Sequence, residues 1–142
     1  MRRVLSLRST RAGLAVAGLA GAALCFSPLL GSPGIESALV LGLLLPPFAG
    51  VLGVRVVDRL RDEDRPVEAA ELFADALSGA FLLFALPTAV LLLNTLRVPA
   101  CGPVEGLVFL TLGPGASVAL AATAGVALGA AARRVRWATA LA

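Results

Sequence analysis

The sequence predicts an all-α membrane protein, a polytopic helical bundle of four transmembrane helices joined by short loops. Of its 142 residues, 58% are hydrophobic, whereas ordinary soluble domains have about 45–50% apolar residues. The apolar residues are concentrated in four long stretches that are separated by clusters of arginine. A small domain folded in water buries only about two-thirds of the surface that its unfolded chain exposes. We therefore expect the lipid bilayer to cover much of the apolar surface.

Four segments are long enough to cross the hydrocarbon core of a bilayer, which takes about 20 residues of helix. None has a charged residue at its centre, and they cover residues 12–30, 35–57, 76–93 and 106–132. Between the second and the third lies a polar segment, 58–75, in which Pro66 suits the first turn of a helix. We expect this segment to be amphipathic, to lie at the cytoplasmic surface and to continue into the third span.

The placement of arginine predicts the orientation of the spans. The basic N-terminus, 1–11, and the segment 55–65 carry four arginines each, residues 133–136 carry three, and only Arg97 lies on the other side. Because positive charges in short loops stay in the cytoplasm, both termini are expected there. The residue usage is typical of a high-GC bacterial genome, so the predicted location is the inner membrane. The same topology explains the net charge of +3, and we expect no binding to nucleic acid.

Each end of the chain has a second interpretation. A basic start, an apolar run and the small residues Ala20, Gly21 and Ala22 also fit a secretory signal peptide, whose cleavage would leave three spans. At the other end, residues 133–142 form a basic tail with a Trp and a new apolar run. Trp is enriched at membrane interfaces, so this tail fits an interfacial anchor. It equally fits the start of a fifth span in a longer protein.

Prolines inside the predicted spans indicate kinks, because each one removes a backbone hydrogen bond of the helix. They are Pro46, Pro47, Pro87 and Pro114. We expect a break or a strong kink at Pro46-Pro47, and the same in the fourth span, where glycines flank Pro114. A discontinuous helix at a substrate site is the functional alternative. We favour ordinary kinked spans, because few polar residues lie nearby.

Small residues recur at four-residue spacing in the first and fourth spans, so each set lies on one face of its helix. The sets are Gly13, Ala17 and Gly21, and Ser117, Ala121, Gly125 and Gly129. Such faces let two helix backbones approach closely in lipid. We expect them to pack within the chain, and a homo- or hetero-oligomer formed through the same faces is the alternative.

Few residues are suited to catalysis or metal binding. The chain has no His, which is the commonest general base and metal ligand. We expect no catalytic, cofactor-binding or metal site, and we interpret Glu68, Glu71 and Asp75 as a solvated helix start rather than a cation site. The predicted topology puts Cys25 and Cys101 on the same side, where a disulfide is allowed. The alternative is two unrelated small apolar residues.

These features favour an integral membrane anchoring or assembly domain, including one that forms the N-terminal membrane part of a larger bacterial envelope protein. The alternative is a small transporter or channel subunit that works as an oligomer. Transport pathways are usually marked by ionisable residues, and the predicted spans have none at mid-membrane. A water-filled cavity lined by Thr88, Thr111 and Ser117 would favour this alternative. We do not expect an enzyme.

Overall fold

The computed structural model describes residues 8–27, 30–62, 68–98 and 102–140, and this part of the chain contains helices and no strand. The helices are α1 (Arg8–Cys25), α2 (Ile35–Asp62), α3 (Ala69–Asn94), α4 (Pro103–Leu110), a π-helical turn π1 (Thr111–Gly115) and α5 (Ala116–Ala140). Because α4, π1 and α5 follow one another without a gap, we call residues 103–140 the fourth rod. The helices α1, α2 and α3 are the first three rods. The predicted all-α bundle of four helices is thereby confirmed.

Three of the four rods are long and apolar enough to cross a membrane. Their apolar cores are Ile35–Arg59, Ala69–Asn94 and Val104–Ala132. The apolar part of α1 is shorter, Arg11–Cys25, because the helix ends at Cys25 and a turn follows at Phe26. This end lies five residues before the predicted one. The sequence gives a physical reason, since Pro28 disfavours helical backbone at the residue that precedes it.

The other predicted boundaries differ mainly at the helix ends. α2 begins at Ile35, as predicted, but continues to Asp62 and so takes up the start of the segment 58–75. α3 is one helix from Ala69 to Asn94, and Pro66 lies outside the described residues. At the end of the chain, α5 continues through residues 133–140 as one helix with the fourth span. Residues 141–142 lie outside the described part.

The rods form two pairs of parallel neighbours. Along α1, Gly13 lies beside Leu83 and Gly21 beside Pro87, so α1 and α3 run in the same direction. Along α2, Gly42 lies against Pro114. Further toward the C-terminal ends of both helices, Val57 of α2 contacts Gly129 of α5. The contacts advance along both helices together, so α2 and the fourth rod also run parallel.

The loop before α2 meets the end of α3, so α2 and α3 run in opposite directions. The Asn94 side chain donates to the Gly31 carbonyl oxygen over 2.7 Å, and Gly106 at the start of the fourth rod packs on Pro33. We call this end of the bundle the loop end. The opposite end, with Arg11, Arg55 and Arg59, is the basic end. Successive rods therefore alternate in direction, as four passes require.

The bundle is apolar both inside and outside. Its interior is filled by side chains that are essentially inaccessible, among them Leu41, Leu45, Leu83, Leu91 and Leu110. Large apolar side chains also cover the outside, where Leu43 is 82% exposed, Leu112 72% and Leu120 69%. An exterior of this kind is costly in water, since burial of apolar area is worth about 25 cal/mol per Å². The same apolar surface carries no such cost when hydrocarbon surrounds it.

Candidate functional site

Glycine lies directly on backbone where α2 packs against α5. A Cβ atom added to Gly125 would collide with the Gly50 carbonyl oxygen and lie 3.0 Å from its carbonyl carbon. One added to Gly53 would meet the Ala122 carbonyl oxygen and lie 2.9 Å from the Val126 nitrogen. Glycine alone fits both positions, and direct backbone contact is how helices gain packing energy in lipid.

The rest of the small-residue face on the fourth span follows the same helix. A Cβ on Gly129 would lie 3.3 Å from the Val54 Cα atom. Ala121 is half-buried against the core, with its carbonyl oxygen 3.6 Å from the position of a Cβ on Gly50. Ser117 lies further toward the loop end, in a groove described below. The contacts of this face are therefore with α2 of the same chain.

The first small-residue face packs on α3. A Cβ on Gly13 would lie 3.3 Å from Leu83 Cδ2, and one on Gly21 would lie 3.0 Å from the Pro87 Cα atom. Between them, Ala17 is 1% exposed. One of the predicted kink prolines, Pro87, thus provides the surface against which α1 rests.

The prolines of the second and fourth spans are accommodated differently. α2 is α-helical through Pro46 and Pro47, so the helix has no break there, and the expected kink stays a prediction. Around Pro114 the helix widens into π1, in which the Ala116 N–H donates to the Thr111 carbonyl oxygen five residues earlier. Gly113 and Gly115 flank this proline. π-helical turns often occur at functional sites.

Hydroxyl groups within the spans bond to their own helices. The Thr88 hydroxyl donates to the Phe84 carbonyl oxygen at 2.8 Å, and the Thr111 hydroxyl donates to the Leu107 carbonyl oxygen at 3.0 Å. Thr123 does the same with Leu120. These polar groups are satisfied without water or a ligand, as hydrocarbon surroundings require.

A groove with a volume of about 540 Å³ opens on the outside of the bundle, between the first turns of α2 and the α4–π1 part of the fourth rod. Its walls are Ile35, Ala38, Leu39, Gly42, Leu43, Phe109, Leu112, Gly113 and Ser117. Of the three residues that would line a water-filled cavity under the transporter alternative, Ser117 is among these walls. Thr88 and Thr111 are not, so the groove is an apolar space with one hydroxyl group.

The loop end of the bundle is held by short polar contacts. Ser37, which is fully buried, accepts a hydrogen bond from the Gly34 N–H at 3.0 Å. Its hydroxyl lies 3.1 Å from the Ser32 carbonyl oxygen, to which it donates. A side chain that accepts from the N–H just before a helix start is one half of a capping box. The wall of the groove that α2 supplies therefore starts from a fixed helix end.

The remaining candidate residues are not brought together. Cys25 Sγ lies 4.0 Å from the Val90 carbonyl oxygen, and Cys101 lies outside the described residues, so the disulfide stays a prediction. Glu68 is exposed, whereas Glu71 and Asp75 are half-buried. Over the part of the chain that the structure describes, no three His, Cys, Asp or Glu residues cluster to hold a metal ion.

Comparison with protein-family models, curated proteins and solved structures finds no match to this chain. Sequence reasoning missed Gly42, Gly50 and Gly53 of α2. Their signal was present in the spacing of Gly42, Gly50 and Gly53 along one apolar helix, but a chain with 15 glycines offers many such spacings.

Proposed function

We propose that the chain is an integral membrane anchoring or assembly domain that crosses the bacterial inner membrane four times. The observation that carries the proposal is the combination of an apolar exterior with a tightly packed apolar interior. Gly125 rests on Gly50, and the hydroxyls of Thr88 and Thr111 bond to their own helices. Such a bundle has the properties of a rigid membrane element rather than of a polar pathway.

The proposed orientation places the basic end in the cytoplasm. Arg11, Arg55 and Arg59 lie at that end, and the positive-inside rule assigns such residues to the cytoplasmic side. Alkaline phosphatase fused after Arg61 should be inactive, whereas the same enzyme fused after Arg97 should be exported and active. Activity after Arg61 would contradict this orientation.

We also propose that α1 remains part of the mature protein. Its small residues are fitted to α3, with Gly21 against the backbone of Pro87, and a signal peptide needs no such fit. The intact mass of the purified protein checks this point. A mass that lacks about the first 22 residues would support the signal-peptide interpretation.

The experiment that separates an anchor from a transporter is a flux measurement on the full chain in sealed vesicles. An anchoring domain should leave the permeability to protons, K⁺ and small neutral solutes at the level of empty vesicles. A flux that rises with the amount of protein would support the oligomeric channel or transporter instead.

An assembly role predicts partners that bind within the membrane, either other copies or other proteins of the envelope. Residues such as Leu120 and Leu128 present large apolar side chains on the outside of α5, where they are 69% and 66% exposed. The mass of the protein–detergent complex, measured by light scattering, should reveal whether the purified chain forms an oligomer. A monomer would leave partners of other kinds, which cross-linking in intact cells would detect.

A further inference from the structure

Two residues that line the groove beside π1 have carbonyl groups that α2 cannot satisfy in the usual way. In an α-helix each carbonyl accepts from the N–H four residues later. For Gly42 and Leu43 these positions are Pro46 and Pro47, which have no N–H. The helix nevertheless continues unbroken through both prolines. Both residues with freed carbonyls line the groove.

A freed carbonyl in hydrocarbon needs a hydrogen-bond donor, because an unsatisfied polar group there costs several kcal/mol. The wall of the groove supplies the Ser117 hydroxyl, and its other side chains are apolar. Leu43 is 82% exposed, and Pro47, toward which its carbonyl points along the helix, is exposed as well. A donor from outside the chain can therefore reach this position through the open side of the groove.

The dimensions of the groove suit a single lipid chain. Each wall spans nine residues, Ile35–Leu43 on α2 and Phe109–Ser117 on the fourth rod, which is about 12 Å of helix. The groove thus lies within one leaflet of a bilayer whose hydrocarbon is about 30 Å thick. The groove is open on its outward side, and a single lipid chain fits in its volume of about 540 Å³.

We propose that the groove is a binding site for an apolar lipid that carries a hydroxyl group within its chain region. The chain would pack against Leu39, Phe109 and Leu112. The hydroxyl would donate to the carbonyl oxygen of Gly42 or Leu43 and accept from Ser117. The partial negative charge of the two freed carbonyls complements the donor, and the surrounding side chains select an apolar body. Partner helices and water are the competing occupants.

The test uses the full chain in phosphatidylcholine vesicles and two photoreactive probes. One is a long-chain secondary alcohol with its hydroxyl at mid-chain and a diazirine near its end. The other is the methyl ether of the same molecule, which has the same shape but no donor. After illumination, mass spectrometry locates the label along the chain. We expect residues 35–43 and 109–117 to carry roughly fivefold more of the alcohol than of the ether, the ratio that one net hydrogen bond supports.

Two variants separate the parts of the site. Pro46→Ala combined with Pro47→Ala restores both N–H donors, so the groove should still be labelled but should no longer prefer the alcohol. Gly113→Leu should bring labelling of the groove by both probes to the background level, since a Cβ there meets nothing within 4 Å and the longer side chain fills the open space. Leu128→Phe is the control, because Leu128 lies outside the groove and is 66% exposed. It should change nothing.

Three results would overturn the proposal. Equal labelling of the wild-type groove by the alcohol and the ether would show that the freed carbonyls bind water or no donor. Labelling of the groove no stronger than that around Leu128 would show ordinary contact with bulk lipid. Cross-links between groove residues of two chains would identify a second copy as the occupant. Circular dichroism of each variant shows whether its helix content equals that of the wild type.

Discussion

The backbone of Gly125 in α5 rests on the carbonyl group of Gly50 in α2, with no side chain between them. A parallel pair of helices is held here by backbone contact rather than by large interlocking side chains. In lipid this contact contributes dispersion energy that small residues alone allow. α2 and the fourth rod, to which α5 belongs, also form the two walls of the groove nearer the loop end.

Replacing Gly125 by Leu should destabilise the bundle by about 1–3 kcal/mol or more, the usual cost of an overpacked interior. The new side chain has no space, because even a Cβ collides with Gly50. Thermal unfolding in detergent, followed by circular dichroism, measures the change. Ala124→Leu is the matched control, since Ala124 precedes Gly125 and is exposed. Equal melting temperatures for the two variants would contradict the packing described for α2 and α5.

Replacing Gly21 by Leu should detach α1 from the bundle without unfolding the other three rods. A Cβ at this position would lie 3.0 Å from Pro87 Cα and 3.1 Å from its Cβ, and neither the proline ring nor the backbone can move aside easily. Limited proteolysis in detergent should therefore release an N-terminal fragment sooner. The control is Ala22→Leu, on the exposed side of the same helix. If both variants resist protease like the wild type, α1 does not depend on this contact.

Replacing Asn94 by Asp should weaken the loop end. The side-chain amide of Asn94 donates to the Gly31 carbonyl oxygen at 2.7 Å, and a carboxylate of the same shape has no donor. The loss should be about 1–3 kcal/mol, because the Gly31 carbonyl also loses its partner. Thr95→Val is the control, since the Thr95 hydroxyl bonds only within its own turn, to Leu92. Hydrogen exchange at residues 30–34, read by mass spectrometry, should rise in Asn94→Asp alone.

The rods could be predicted from the sequence because their cause is local. A run of apolar residues without a central charge is enough to specify a membrane helix, and α2 starts at Ile35 as expected. The predicted helix ends were less accurate than the predicted helices themselves where a single residue determines the end. α1 ends at Cys25, before the Ser27-Pro28 pair, rather than at residue 30. The widened turn at Pro114 and the unbroken helix at Pro46 involve the same residue type, so proline alone does not predict which of the two forms.

The site could be predicted only in part, because its contacts join distant parts of the chain. The spacing of Gly125 and Gly129 indicated a close helix contact, but nothing in it specified α2 as the partner. The groove depends on the lateral position of α2 against π1, which only the folded bundle fixes. The freed carbonyls of Gly42 and Leu43 follow from the sequence, since Pro46 and Pro47 have no N–H. The position of Gly42 and Leu43 in the wall of a groove does not follow from it.

The central claim is that hydrocarbon surrounds the outside of this bundle. Spin labels attached to cysteines introduced at Leu43, Leu112 and Leu128 test it directly, in vesicles that contain the full chain with Cys25 and Cys101 replaced by Ala. At all three positions we expect strong relaxation by oxygen, which partitions into lipid, and weak relaxation by a water-soluble nickel chelate. A label at Glu36, exposed at the start of α2, should show the reverse. Strong relaxation by the chelate at Leu43, Leu112 and Leu128 would contradict the account.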